Sequence, residues 1–368
     1  MTLRSPKIGA EGRTTSRVDQ QAENGGRNVF AQRDVVIHGV SASDVVAICE
    51  QVWKANFPTY VEAARLEAER RVEEFGRKLF AAFARNGGPE SIKNFTDPGL
   101  QASLLDAMRG VARSGDTNLS EILADLLVQR TKQPKRNIMQ LSLDEALLTA
   151  AKLTNKHYNA LTFLFFIVRA KFGSFDTVEG LYRTLQQNLI PFSADPKVGE
   201  SDVQYLQATG CGSVNHVMSM PSFSGALKIS YPGLFATGIL PEEAKRYPRL
   251  QEASSGGISP LVPCSRNPEL LQVNALDKSE LEVLIDSMSD EAGIDFIRTQ
   301  FEVGPRLGDV EIVRELEAFD SRFSAVIRNW DQGNLRNFHL TVTGIVIAHA
   351  NACRVLGNLS AGLEIWIH

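Results

Sequence analysis

Cys211 and His216 are the first residues in this sequence whose types and spacing could do chemistry. They lie in the glycine-rich stretch Thr209-Gly210-Cys211-Gly212-Ser213-Val214-Asn215-His216. A thiol beside an imidazole base is what thiolate attack on a carbonyl or related centre requires. Cys264 would serve as nucleophile equally well, and no supporting acid stands out. The plainer reading makes Cys211 a loop thiol, so the sequence favours a non-catalytic protein over an enzyme. The six histidines, His38, His157, His216, His339, His349 and His368, form no H-x-x-x-H or H-E-x-x-H pair, and no metal centre is expected. His339 and His349 read as structural. G-x-x-x-x-G-K-[ST], G-x-G-x-x-G and G-x-S-x-G are all missing, so no cofactor is implied and an ordinary serine hydrolase is disfavoured.

The elements that would hold these residues are mostly helical. From Ser41 the sequence predicts a helix to Phe57 and a second from Pro58 to about Asn86, where Val61, Ala64, Ala68, Val72, Phe75, Leu79 and Phe83 recur every three or four residues. Glu67–Arg71, Glu73–Arg77 and Glu74–Lys78 are spaced for pairing on its wet face. Asp97-Pro98, Asp116 and Thr154 read as helix starts, with a further helix from Asn137 to Leu153. The apolar run 161–168 is far short of the ~20 residues a spanning helix needs and reads as a buried core helix. Helical signals resume at Asp277. Ile312, Leu316, Phe319, Phe323, Ile327 and Trp330 then mark one helix packed along a full face. A last helix runs to Leu356 before Gly357, and Leu363–Ile367 alternates like a short strand.

Between the two helical blocks, residues 208–275 hold seven of the fifteen prolines and seven glycines. That density favours turns and short strands. The predicted fold is therefore mainly α, a multi-helix bundle or irregular helical stack with a Gly/Pro-rich insertion and short strands at both ends. The expected divisions are a flexible tail (1–33), a helical domain (34–207), an insertion or linker (208–275) and a second helical domain (276–368). The tail carries six Lys/Arg against three acids. Residues 28–39 are β-prone, and Val29, Val35, Val36 and Ile37 are the candidate assembly residues. A strand outside the helical body must pair with an edge on its own chain or on another copy.

Composition excludes several classes. In 368 residues, 43% are hydrophobic and 22% charged, enough for a core and too much apolar content for a disordered chain. Cys49, Cys211, Cys264 and Cys353 are widely spread, so a disulfide scaffold is not expected and a cytoplasmic home is. A net charge of −4 gives no drive toward nucleic acid or acidic membranes. The nucleic-acid reading would be a winged-helix-like unit at the C-terminus. It is disfavoured because Ile345–Arg354 is mostly apolar, whereas a recognition helix needs polar side chains.

The two ends carry a resemblance. Asp34–Val45 with Lys54-Ala55-Asn56-Phe57, the Arg113-Ser114-Gly115-Asp116 connector, and Leu340–Asn351 with Leu363–Ile367 resemble an uncharacterised bacterial helical family associated with mobile elements and phage-defence loci. The Leu-Thr-x-x-Gly entry to the last helix is similar to abortive-infection proteins of the alpha type. The resemblance implies antiviral defence and carries over no catalytic residue. Joined to the β-prone segment, it gives the expected function: a self-associating sensor or scaffold acting through protein–protein contacts. Its partners would be its own copies, and a phage protein or a co-encoded defence protein. The alternative is a defence effector enzyme with its site in 208–275.

Overall fold

A computed structural model describes residues 42–86, 94–173, 175, 177–193, 198–215, 217–251, 258–357, 359 and 361–367. The expected tail, the β-prone segment with Val29, Val35, Val36 and Ile37, and His38, His216 and His368 lie outside the described residues, as does the side chain of Cys49. The chain forms two compact units, residues 1–65 and 66–368. The structure is mainly α, as the periodicity predicts.

The first helix, α1 (Ala42–Asn86), is continuous where two helices were expected at Pro58. Proline removes one i→i−4 bond, and the helix continues through that loss. The predicted pairs along it are present: Glu67–Arg71 at 2.8 Å, Glu73–Arg77 at 2.9 Å and Glu74–Lys78 at 3.8 Å. Arg71 also donates to the carbonyls of Ala112 and Arg113, which are end groups of α2 (Pro98–Ser114) with no partner inside that helix. Asp97 caps α2, accepting from the Gly99 and Leu100 amides, and Asp116 caps α3 (Thr117–Thr131) in the same way. Gly115 between them sits at φ +62°, where a Cβ would meet the Arg71 guanidinium at 2.8 Å.

Helices α4 (Ile138–Ala150) and α5 (Asn155–Val168) follow, capped by Asn137 and Thr154. Then come α6 (Val178–Ser193) and α7 (Glu200–Ala208). The apolar run of α5 is buried from His157 to Phe166. The last helix, α14 (Val342–Leu356), packs against α3, α4 and α5 and is buried from Gly344 to Ala352. One apolar core runs from Phe75 to Ile367 and draws on residues both before and after 208–275.

Within 208–275 the chain makes turns, short helices and short strands, as the proline density predicts. Strand β1 (Gly212–Val214) is followed by α8 (Phe223–Ser230) and α9 (Pro241–Ala244), then by β2 (Leu261–Pro263) and β3 (Leu271–Val273). β2 and β3 pair antiparallel, Leu261 opposite Val273. A second, smaller core joins Ile239, Leu250 and Val273 to α10 (Lys278–Asp286) and α11 (Glu291–Val303).

Two further expectations fail. The stripe from Ile312 to Trp330 belongs to two helices, α12 (Asp309–Phe319) and α13 (Phe323–Asp331). Asp320 breaks it: its backbone is extended, at φ −154° and ψ 117°, and its carboxylate accepts from the Arg322 amide and from Gln186 of α6. That carboxyl is held far below its usual range by Arg322 and Gln186. Leu363–Ile365 is a turn of 3₁₀ helix, not a strand. Leu363 and Ile367 are buried and Ile365 is exposed. Trp366, donating to the Arg169 carbonyl, pins this end to α5.

Candidate functional site

The predicted nucleophile is sealed. Cys211 is fully buried, and burial pushes its thiol up. Its carbonyl accepts from the Thr341 amide, and a Cβ on Gly344 would stand 2.0 Å from that oxygen. Thr341 and Gly344 of the Leu-Thr-x-x-Gly entry thus seat α14 against the Cys211 backbone. Cys264 is 1% exposed, and its thiol donates to the Ala236 carbonyl at 3.7 Å. It lies outside the main core cluster that holds Cys211. His339, on β4 (Phe338–Leu340), is exposed opposite Ser213.

A thiol–imidazole pair that the sequence reading passed over lies on α14. His349 and Cys353 are one turn apart, with Cys353 Sγ 3.7 Å from His349 Nδ1. His349 Nε2 is 3.1 Å from the Ala361 carbonyl, which can only accept, so Nε2 carries the proton and Nδ1 is the free acceptor. Burial lowers the His349 pKa and pushes the Cys353 thiol up to about 11. The resting pair is therefore neutral thiol and neutral imidazole. It borders a cleft of about 330 Å³ that Asp125, Lys132 and Glu364 also line. Burial raises the Asp125 pKa. Among the described residues no group of three His, Cys, Asp or Glu could hold a metal ion.

This arrangement fixes how the thiols respond to alkylation. With a pKa near 11, the thiolate fraction of Cys353 at pH 7 is roughly a hundredfold below that of an ordinary thiol. Iodoacetamide followed by peptide mapping should show slow labelling at Cys353, rising through pH 10, with Cys211 and Cys264 protected. Fast labelling of Cys353 at pH 7 would mean an activated nucleophile and contradict this reading.

Other polar clusters are closed on themselves. Arg266 grips Glu315 through two bonds of 2.5 and 3.0 Å, and Tyr182 donates to the same carboxylate at 2.9 Å. Arg354 donates to the side-chain carbonyls of Asn351, Asn118 and Asn155.

One cleft is bordered by a buried acceptor with no partner. β1 pairs antiparallel with β4, Ser213 opposite His339. The bonds from Asn215 N to Asn337 O and from Thr341 N to Cys211 O make the odd-numbered residues of this strand the bonded positions. Val214 therefore directs its N–H away from β4. It finds only the Gln207 side chain, Oε1 at 2.9 Å. Beside it opens a cleft of about 530 Å³ lined by Val203, Gln204, Gln207, Val214, Asn334 and Asn337, with Glu200 its one charged lining residue. Asn337 Oδ1 is buried without a hydrogen-bond partner. An unpaired strand edge, neutral amides and an orphan acceptor suit an extended polypeptide better than a charged metabolite.

A protein-family model described as ":-like" matches residues 39–367. The chain belongs to that uncharacterised family. The match bears out an uncharacterised family over nearly the whole chain and carries no link to mobile elements or abortive infection. No curated protein and no solved structure matches the chain. Among the described residues, no helix is long and apolar enough to cross a membrane.

Proposed function

We propose that this protein serves in bacterial antiviral defence as a self-associating sensor or scaffold, working through protein–protein contacts in the cytoplasm. The observation that carries the contact role is the outer edge of β1. Val214 faces an amide-lined cleft instead of a partner strand, and strand addition is a common way for one polypeptide to hold another. The defence role is supported by the Asp34–Val45 and Leu340–Asn351 motifs. The partners are further copies of the chain, with a phage protein or a co-encoded defence protein as the trigger.

The test is a challenge of cells carrying the gene with a panel of phages. Plaque counts should fall relative to an empty vector, and Asn337→Leu should restore them. Leucine is close to asparagine in shape and removes an orphan acceptor, so the fold should tolerate it. Unchanged plaque counts across the panel would overturn the defence role.

A second reading, a thiol-dependent effector enzyme, is favoured by one observation: the 3.7 Å contact of Cys353 with the unprotonated nitrogen of His349. It moves the thiol site from the 208–275 insertion to α14. The alkylation profile above separates it from the scaffold reading.

A further inference from the structure

We propose that the cleft beside His349 and Cys353 and the one adjoining it form a single site for a nucleoside monophosphate. The inference goes beyond the contact role and does not depend on self-association. The two clefts, of about 330 and 490 Å³, share Asn86, Asp125 and Cys353 as lining residues. Each lies within the size range of small-molecule sites. Three observations give the ligand class.

The first is a hydrogen-bonding edge on α3. Asp125 Oδ2 accepts from Gln129 Nε2, one turn on, at 3.3 Å. Among the described residues, Asp125 Oδ1 and Gln129 Oε1 have no partner, and the second amide hydrogen of Gln129 is free to donate. Acceptors and a donor thus stand side by side, the complement of a nucleobase edge. Burial holds the Asp125 carboxyl above its usual range, and a ligand N–H would offset part of that desolvation. The second is an apolar wall in the same cleft. Met139 and Leu143 of α4 line it and are 6% and 0% exposed. A thioether and a branched chain suit the face of a flat ring. The third is a cation left over for an anion. Lys78 and Arg354 are both turned on Glu121, at 3.6 and 3.9 Å. Arg85 lines the adjoining cleft, is exposed, and has no acid in ion-pair contact among the described residues. It is close enough to Asp125 to act on that carboxyl's charge. A guanidinium can meet a phosphate through two parallel bonds. The ring therefore lies on Met139 and Leu143 with its edge at Asp125 and Gln129, and the phosphate reaches Arg85.

The full-length protein is titrated calorimetrically at neutral pH with the monophosphates of adenosine, guanosine, cytidine and uridine. The matching nucleosides and inorganic phosphate are the controls. One or more monophosphates should bind about tenfold tighter than the nucleoside or phosphate alone. Arg85→Ala should weaken all of them alike, by about tenfold, and leave the melting midpoint unchanged. Asp125→Asn should change the ranking among the bases, because a carboxyl becomes an amide at the edge that reads them. The bound ligand should slow iodoacetamide labelling of Cys353 at alkaline pH, since that thiol lines both clefts. No binding signal from any monophosphate would overturn the site, as would binding that leaves Cys353 labelling untouched. Phosphate alone binding as tightly as the nucleotides would overturn the ring assignment. Affinity lost with Lys132→Ala and kept with Arg85→Ala would overturn the phosphate placement.

Discussion

Replacing Trp330 by alanine is expected to lower the melting midpoint by roughly 8 °C, from a loss of about 4 kcal/mol. Trp330 is fully buried at the end of α13. Its ring meets Phe163 of α5 edge-on, with centroids 6.3 Å apart, and its indole N–H donates to the Pro221 carbonyl at 3.0 Å. Alanine leaves a large cavity and an unpaired carbonyl, and the two costs add. Neighbouring contacts hold the same loop: Asp331 accepts from the Phe223 amide, and Arg336 donates to the Met220 carbonyl. Trp330→Phe keeps most of the volume and gives up the hydrogen bond, so it should cost about 1–2 kcal/mol. A loss below about 1.5 kcal/mol for the alanine variant, by thermal or urea unfolding, would mean the site collapses and the packing argument fails.

Arg130→Met should cost about 3 kcal/mol, and Arg130→Lys should recover less than half of that. Arg130 is 3% exposed at the end of α3. Its Nε donates to Asp144 of α4 at 2.7 Å, Nη1 donates to the Gln133 carbonyl, and Nη2 lies 3.7 Å from Asp97, the cap of α2. Ser103 donates to the same Asp144 oxygen at 2.8 Å. One guanidinium therefore joins three helices, and lysine, a point charge on a flexible stem, cannot hold three directions at once. Equal stability of the Lys variant and the native chain would show that charge alone matters here. The comparison is made by urea unfolding with a common m-value.

Much of the helical frame was legible because its signals are local. Asp97, Asp116, Asn137 and Asp277 cap helices through amides two or three residues away, and at Thr154 the cap amide donates to the His157 ring. The break at Asp320 was not legible, because Gln186, 134 residues earlier in the chain, is part of what holds it. Leu363–Ile367 looked like a strand from alternation, whereas burial of Leu363 and Ile367 around an exposed Ile365 is helical spacing over a short stretch. The chemistry divides in the same way. His349 and Cys353 could have been found as a one-turn pair, but Asp125 across the cleft could not. Cys211 drew notice for its glycine-rich setting, and the two flanking glycines serve the backbone: Gly210 turns at φ +80°, and a Cβ on Gly212 would lie 2.4 Å from the Phe338 ring. The cleft beside β1 depends on β4 arriving from 124 residues downstream, so no motif announced it.

The smaller core around Ile239, Leu250 and Ile297 is tied to the rest of the chain in part by polar contacts at its border. Arg266 holds Glu315, Lys171 reaches Asp277 at 3.2 Å, and the Gly233 amide donates to the Leu276 carbonyl. Two of these three are ion pairs with partly exposed members, the kind that weaken as salt rises. Amide hydrogen exchange should therefore resolve two populations. Residues of α10 and α11 would exchange through a partial opening, while α5 and α14 would exchange only through global unfolding. Added salt should widen the gap between them, so that the lobe behaves as a separately cooperative unit within one continuous polypeptide.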